Sequence, residues 1–398
     1  MIDGRRTPQK GATVATCALL TALTAFLVLA RATTGQGGRA IEPADPNATA
    51  ETKALVANLD ALRGRKLIFG HHMTTTFHVT KPPAGARRWS DVKATTGEWP
   101  GMWSFQMNFA TRFGQADRMR ETIRFARDLG APITMCWHMR NPLTGGRRGD
   151  RNFDIGSILP GGKHHHLLVE KLSRGTDYLE TLTDARGRPI PILYRPWHEF
   201  NLRGYWWNAA TREQFIELWR FTVHYFRDVR GLHNLLYVYN PNYRGHMARG
   251  NIESNFLERY PGDEYVDVLS IDYYGRLPRK GVSEVLGEVV RLADARGKLP
   301  SFHETGVGIG GGYARRGAAP DWYADLLRVL QGDPVGRQMA YVTTWYNKPR
   351  QYWVPYAEGV NGYEAFIEFY RDPYSAFGDD VRAMDLYGDG PQGQGRDF

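Results

Sequence analysis

From residue 50 onward the chain alternates two kinds of segment. Apolar or β-branched runs occupy 66–70, 101–105, 133–138, 190–194, 235–239, 266–271, 299–303 and 339–345, and read as strands. Between them, stretches such as 116–129, 212–228, 282–295 and 321–330 repeat an apolar residue every three or four positions, the mark of a helix with one buried face. Eight strand-like runs separated by helix-like runs predict an α/β protein folded as a single (β/α)8 TIM barrel over 49–387, in preference to an open sheet. In such a barrel the chemistry gathers where the strands end and the βα loops converge. Those ends hold His71 and His72, Trp103, Trp137 and His138, residues 197–199, Tyr239 and Asn240, residues 272–274, His303 and Glu304, and Trp345.

The flanks follow another pattern. Arg5, Arg6 and Lys10 precede an uncharged stretch at 12–30, and Ala30-Arg31-Ala32 offers a small-x-small cleavage site. Residues 1–32 therefore read as an export signal, and the protein as secreted or extracytoplasmic. The alternative is an uncleaved membrane anchor, since about 19 apolar or small residues can span a bilayer. Arg5-Arg6 with Lys10 also fits a twin-arginine signal, although Pro8 and Gln9 stand where apolar residues are usual. Residues 33–48 read as a linker and 388–398 as a disordered tail.

Composition narrows this picture without redirecting it. With 398 residues, 42% hydrophobic and 23% charged, the chain suits one large globular domain, and no separate binding module is recognisable. The formal charge of +9 falls to +6 when 1–32 is removed, because Arg5, Arg6, Lys10 and Arg31 leave together with Asp3. That excess is dispersed, with no block of Lys and Arg interleaved with aromatics, so nucleic acid is not an expected partner. Cys17 lies in the export segment and leaves Cys136 alone, so the exported protein holds no internal disulfide and rests on its core. A monomer is expected.

Two glutamates stand out as candidate chemistry. Glu199 closes the fourth strand run and Glu304 the seventh, 105 residues apart, so only a closed barrel brings them face to face across its mouth. A carboxylate ending an apolar strand is hard to explain by packing, since burying it without partners costs several kcal/mol. Hydrolysis of a glycosidic bond needs such a pair, one acid to protonate the leaving oxygen and one carboxylate on the opposite face. Arg195 and His198 place donors beside Glu199, and Tyr274 is positioned to donate to Glu304. Enzymes grip sugar rings with aromatic planes flanked by polar groups, and Trp197, Trp206, Trp207, Trp345, Tyr346 and Trp353 supply planes near strand ends. About half of these tryptophans are expected to fill the core, and Trp345 is the one most expected in the cleft.

Other signals point elsewhere or nowhere. Three adjacent histidines, His164 to His166, precede a helix and do not share one face, so no metal is expected. The glycine-rich run 306–312 lacks the βαβ context of a nucleotide site and reads as a mobile loop. No cofactor is expected.

At these residues the sequence resembles glycoside hydrolase family 26, whose best-known members are secreted β-mannanases. The likeness runs from about Lys66 to Leu386. Leu193-Tyr-Arg-Pro-Trp-His-Glu199 resembles the acid/base motif, in which a His precedes the Glu. Tyr260-Pro-Gly-Asp-Glu-Tyr-Val-Asp267 with Asp272-Tyr-Tyr274 resembles the sixth-strand signature, and His303-Glu-Thr-Gly306 the nucleophile strand. Tyr352-Trp-Val-Pro-Tyr356 and 366–377 resemble the closing segment. The resemblance implies a retaining double displacement on a β-linked polysaccharide, endo-acting on β-1,4-mannan in the first reading, with Glu199 as acid/base and Glu304 as nucleophile. It also implies that His138, in Cys136-Trp-His-Met-Arg-Asn-Pro142, contacts the sugar next to the cleavage point and that His198 orients substrate. Tyr274, in preference to Tyr273, would bond the nucleophile, and Trp345 would form a platform under the sugar. Trp137, Arg195 and Trp206 complete the expected substrate contacts.

Two departures leave the substrate open. Many mannanases of the family carry a W-F-W-W-G run where this chain has Gly204-Tyr-Trp-Trp-Asn208, and Arg often follows the eighth-strand tryptophan where Tyr346 stands here. An endo-hydrolase of another β-glycan and a carbohydrate-binding pseudoenzyme are the alternative readings.

Overall fold

The computed structural model describes residues 41–390, apart from 245, 309 and 389. The expected export segment, the first part of the linker and nearly all of the tail therefore lie outside the described residues.

Eight parallel strands pair in chain order: β1 Leu67–His72, β2 Met102–Gln106, β3 Ile133–Cys136, β4 Ile192–Arg195, β5 Leu235–Tyr239, β6 Val268–Tyr274, β7 Leu299–Gly306 and β8 Tyr341–Thr344. Because β1 pairs with both β2 and β8, the sheet closes on itself as the expected (β/α)8 barrel. A two-residue strand, β9 Ser375–Ala376, adds to the start of β1. Helices Ala116–Asp128, His165–Glu180, Arg212–His224, Lys280–Arg296, Trp322–Gln331 and Tyr363–Arg371 stand between or after the strands. The expected helix over 212–228 changes character near its end, where Tyr225–Val229 widens into a π turn.

Strands covered on both faces read as continuous apolar runs, which is why they are visible in the sequence. Successive side chains alternate across the sheet, so every second residue enters the barrel. The lowest inward layer is apolar, with Ile68, Met102, Leu193, Leu236, Val268, Leu299 and Tyr341 buried in one cluster. Above it come small residues such as Ser104, Thr134, Ser270, Ser301 and Thr343, all buried. Gly70 belongs to this layer, and a β-carbon there would come within 2.5 Å of the Thr343 methyl. The topmost inward positions carry the polar and aromatic side chains of the site.

Helix Ala50–Leu62 closes the opposite end. Thr49 caps it by accepting from the Thr52 amide, and Leu55, Val56 and Leu59 join the apolar cluster at the barrel floor. Residues 41–48, expected as linker, are instead packed here. Ile41 is buried in the same cluster, the Ala44 amide donates to Asp267 Oδ1 at 2.6 Å, and Asp45 Oδ2 lies 2.8 Å from His233 Nδ1. The polar composition that suggested a solvated linker reflects acceptors already in use. The glycine-rich run after β7 is likewise held at both ends, with Trp353 against Gly306 and Gly312 bridged to Tyr352.

Candidate active site

Glu304 reaches the barrel mouth through an irregularity in β7. The register against β8 shifts between Phe302 and Glu304, so Glu304 pairs with the inward residue Thr343. His303 also enters the barrel and meets Thr134 and Tyr341. A bulge of this kind re-aims one side chain without ending the strand. Three contacts then fix Glu304. Its amide donates to Asp272 Oδ1 at 2.8 Å, Arg195 donates to Oε1 at 2.6 Å, and the Tyr274 hydroxyl donates to Oε2 at 3.0 Å.

Arg195 is fully buried and divides its guanidinium between Glu304 and Asp272 Oδ2, the latter at 2.9 Å. Asp272 Oδ1 also accepts from Asn240 at 2.9 Å. Burial alone would lower the pKa of the guanidinium, but the carboxylates of Asp272 and Glu304 outweigh it and raise the value, which keeps Arg195 charged. Burial, then the Glu304 charge, pushes the Tyr274 phenol well above its ordinary range, so it remains a donor. Arg195 and Tyr274 thus hold both carboxylate oxygens of Glu304 in one orientation.

Glu199 is placed by the main chain. After β4 ends at Arg195, Trp197 and Glu199 both take left-handed backbone with φ of 52°, a conformation that costs roughly 1–3 kcal/mol per non-glycine residue and persists only when its surroundings enforce it. Here the Glu199 amide donates to the Asn240 carbonyl at 2.8 Å, Asn208 Nδ2 donates to the Glu199 carbonyl at 3.0 Å, and Trp197 Nε1 donates to Thr222 Oγ1 at 3.0 Å. Asn242 Nδ2 donates to Glu199 Oε1 at 2.7 Å, and the Tyr205 hydroxyl lies 3.3 Å from Oε2. Burial and then the Glu304 charge raise Glu199 to about 7, against the opposing pull of Asn242, Arg195 and Tyr205. This carboxyl is built to hold a proton near neutrality.

His138 and His198 face each other through Nε2 atoms 3.1 Å apart, and the Tyr205 hydroxyl lies 3.1 Å from His138 Nε2. Burial and then nearby arginines, Arg148 for His138 and Arg195 for His198, push both well below the ordinary histidine range. Both rings are neutral, so one Nε2 carries a proton and the other accepts it. Gln106 touches His138 Nδ1 from the other side.

Glu199, Asp272 and Glu304 each bring an oxygen within 4.8 Å of the others. Paired carboxyls about 5–5.5 Å apart suit direct attack on carbon, whereas about 6.5–9.5 Å leaves room for an intervening water. This trio and the group Cys136, His138 and His198 both have spacings that a metal could accept. In the first, the Arg195 cation already bridges two of the three carboxylates. In the second, burial pushes the Cys136 thiol up to about 12, away from the thiolate that metals prefer.

Among the aromatic candidates, Trp345 and Tyr346 are half-buried at the mouth. The Trp345 indole lies flat on His72, with centroids 4.4 Å apart and planes 5° from parallel. Trp197, Trp206, Trp207 and Trp353 are buried, and the indole N–H groups of the last three are spent on backbone carbonyls of Met139, His198 and Gly308. Three expectations need correction. Trp206 is completely buried and cannot touch a substrate. Trp137 points out of the barrel against Gly175 of helix His165–Glu180, because its neighbours Cys136 and His138 take the inward positions. Arg195 is also sealed off, and acts on Glu304 and Asp272 rather than on a ligand.

The structure adds Asn242, Tyr205, Asp272 and His72 to the site. His72, Asp272 and Asn242 lie at, or a few residues past, the end of an apolar strand, whereas Tyr205 lies well along the loop after β4 and carries no such signal.

A family model described as Glycosyl hydrolase family 26 matches residues 44–328. A mannan endo-1,4-beta-mannosidase of Bifidobacterium adolescentis is 29% identical over 334 residues, which is 78% of this chain and 32% of that protein. Mannan endo-1,4-beta-mannosidase A and B of Caldalkalibacillus mannanilyticus is 30% identical over 58% of this chain and 46% of that protein. The chain therefore spans about a third and about half of the length of these curated relatives. Among solved structures, a modular endo-beta-1,4-mannanase from Cellulomonas fimi superposes with a TM-score of 0.78 at 33% identity, covering 85% of this chain and 78% of that one. The catalytic domain of an endo-beta-1,4-mannanase from Bacillus sp. JAMB-750 gives 0.79 at 29% identity, covering 88% and 97%.

Proposed function

The chain belongs to glycosyl hydrolase family 26, and from that premise we propose that it cleaves β-1,4-linked mannan within the polymer and with retained configuration. The observation that carries the reading is the unequal pair, Glu199 and Glu304, with oxygens within 4.8 Å and opposite surroundings. In the first step Glu304 attacks the anomeric carbon while protonated Glu199 gives its proton to the leaving oxygen. The glycosidic C–O bond breaks and an ester to Glu304 forms. In the second step Glu199, now a carboxylate, takes a proton from water, whose oxygen displaces Glu304 from the sugar. His138, His198 and Trp345 face the same space and serve to hold the reacting sugar.

The substrate part of the proposal draws on the printed activities of the relatives. Another β-glycan is the second reading, favoured by Gly204 and Tyr346, where the walls of the cleft depart from the pattern of many mannanases. We further propose that the protein works outside the cytoplasm as a monomer, with 1–32 acting as export signal or anchor. That part rests on the sequence alone, and among the described residues no helix is long and apolar enough to cross a membrane.

Reducing-sugar release from β-1,4-mannan, β-1,3-xylan and mixed-linkage glucan tests the substrate, and proton NMR of the first product tests the stereochemistry. The proposal expects mannan cleavage with β-configured product. Initial release of the α-anomer would overturn the double displacement.

A further inference from the structure

Dispersed along the sequence, five cations are gathered by the fold on one flank of the barrel. Arg87 and Arg88 come from the loop after β1, Lys93 from the short helix Asp91–Thr96, Arg118 from helix Ala116–Asp128 and Arg382 from helix Gly378–Met384. All but Arg118 line a cavity of about 760 Å³, and Arg118 joins Arg87 and Arg88 in the wall of a second, of about 410 Å³. Pro100 and Ala131 in the wall of the first lie just before β2 and β3, at the end of the strands opposite the mouth. The larger cavity therefore lies away from Glu199 and Glu304.

None of the five makes an ion pair among the described residues. Two are instead held by rings: the Arg88 guanidinium lies 4.3 Å from the Phe125 centroid and the Lys93 ammonium 4.7 Å from that of Trp99. A ring fixes a cation in position without neutralising it, so its N–H donors stay available. Glu98 is half-buried in the same wall, but both its oxygens are in use, accepting from the Tyr370 hydroxyl at 2.7 Å and the Asp379 amide at 3.0 Å. The carboxylates of Asp379 and Glu121 stand exposed. The walls thus offer donors set in place before a ligand arrives, around a space within the size range of ligand pockets.

The arrangement discriminates among anions. A single phosphate is best served by N–H donors that converge on one point, as at a helix N-terminus. The terminus of helix Gly378–Met384 is already spent, the Asp379 amide on Glu98 and the Phe377 amide on Asp380. The bases of a nucleic acid need open aromatic faces, whereas Phe125 and Trp99 carry cations on theirs. Five cations spread over a loop and three helices suit negative charges repeated along a chain, and the guanidinium fork matches a carboxylate. We propose that this flank binds an acidic polysaccharide, a chain bearing a carboxylate on each sugar unit, independently of the catalytic cleft. The inference does not depend on which glycan the cleft cleaves.

The experiment is calorimetric titration of a galacturonic acid hexamer into the full chain at low salt, repeated for Arg88→Ala/Lys93→Ala and for Arg382→Ala. Thermal melting checks folding, and Arg382 is exposed, so its removal leaves the core intact. The unmodified protein should bind the hexamer, less tightly as salt is raised. Each variant should bind at least about tenfold more weakly, the scale of a lost charge-assisted hydrogen bond, while its rate on mannan stays unchanged. Absence of binding, or binding unaltered in folded variants, would overturn the site. Equal binding of inorganic tripolyphosphate would show that charge alone is read and would overturn the polysaccharide assignment. A parallel loss of mannan turnover would overturn the independence from the cleft. Inactivity on mannan with the hexamer still bound would leave this site standing and overturn only the substrate reading.

Discussion

Glu304 meets a guanidinium and a phenol, whereas Glu199, a few ångströms away, meets a carboxamide and a phenol. The two side chains are chemically identical and almost equally buried, at 5% and 9% exposure, so burial alone cannot set them apart. The formal charge of their neighbours does. Arg195 compensates the negative charge on Glu304, while that same charge falls on Glu199 as repulsion and raises its affinity for a proton. The barrel therefore builds an acid by first building a carboxylate.

The severest way to break this contrast is Glu304→Ala, which leaves nothing to attack carbon. Turnover should fall to background on every substrate, whatever its leaving group. Next in size is Arg195→Met, which strands Asp272 and Glu304 in the interior without their cation. Destabilisation of about 3–5 kcal/mol is expected in chemical unfolding, together with loss of activity; an unchanged unfolding midpoint would mean that the two carboxylates do not depend on it. Glu199→Ala should cost about 10² to 10⁴ in rate on a polysaccharide and be largely restored on aryl glycosides with good leaving groups. Equal rescue of both glutamate variants would erase the distinction between them.

The smallest effect sharpens the comparison. Because the first step needs Glu199 protonated and its pKa is raised to about 7, kcat/KM should decline as pH rises through 7. The stability sign is the same. A carboxyl whose folded value lies above its unfolded value, about 4.3, contributes stability that is present below the unfolded value and lost as pH rises through the folded one. Tyr205→Phe removes a donor that favours the ionised form, so the alkaline limb should move upward by less than about one pH unit. A downward shift would show that Tyr205 does not donate to Glu199.

The eight strands were legible because parallel strands buried on both faces leave unbroken apolar runs, and the two glutamates because charge rarely closes such a run without purpose. Strand parity held more than the pattern alone conveyed. With Thr134, Cys136 and His138 on one face, Trp137 had to take the other. Trp206 offered no such clue, since it sits in a 3-10 turn without a strand period. Tyr205 was not legible, because its contact with Glu199 exists only once the loop after β4 folds back on itself, and the role of Asn242 appears only when the loop after β5 meets that loop. The shift between Phe302 and Glu304 that turns Glu304 inward leaves no mark in composition at all.

The nearness of the two glutamates also couples the halves of the proposed cycle. When Glu304 becomes an ester it ceases to be an anion, in the same event in which Glu199 gives up its proton and becomes one. The pair exchanges its charge without changing the total. The repulsion that had made Glu199 reluctant to ionise vanishes at the moment it must ionise, and returns only when water frees Glu304. A single electrostatic contact thereby resets the catalyst after each turnover, with no moving part beyond the proton itself.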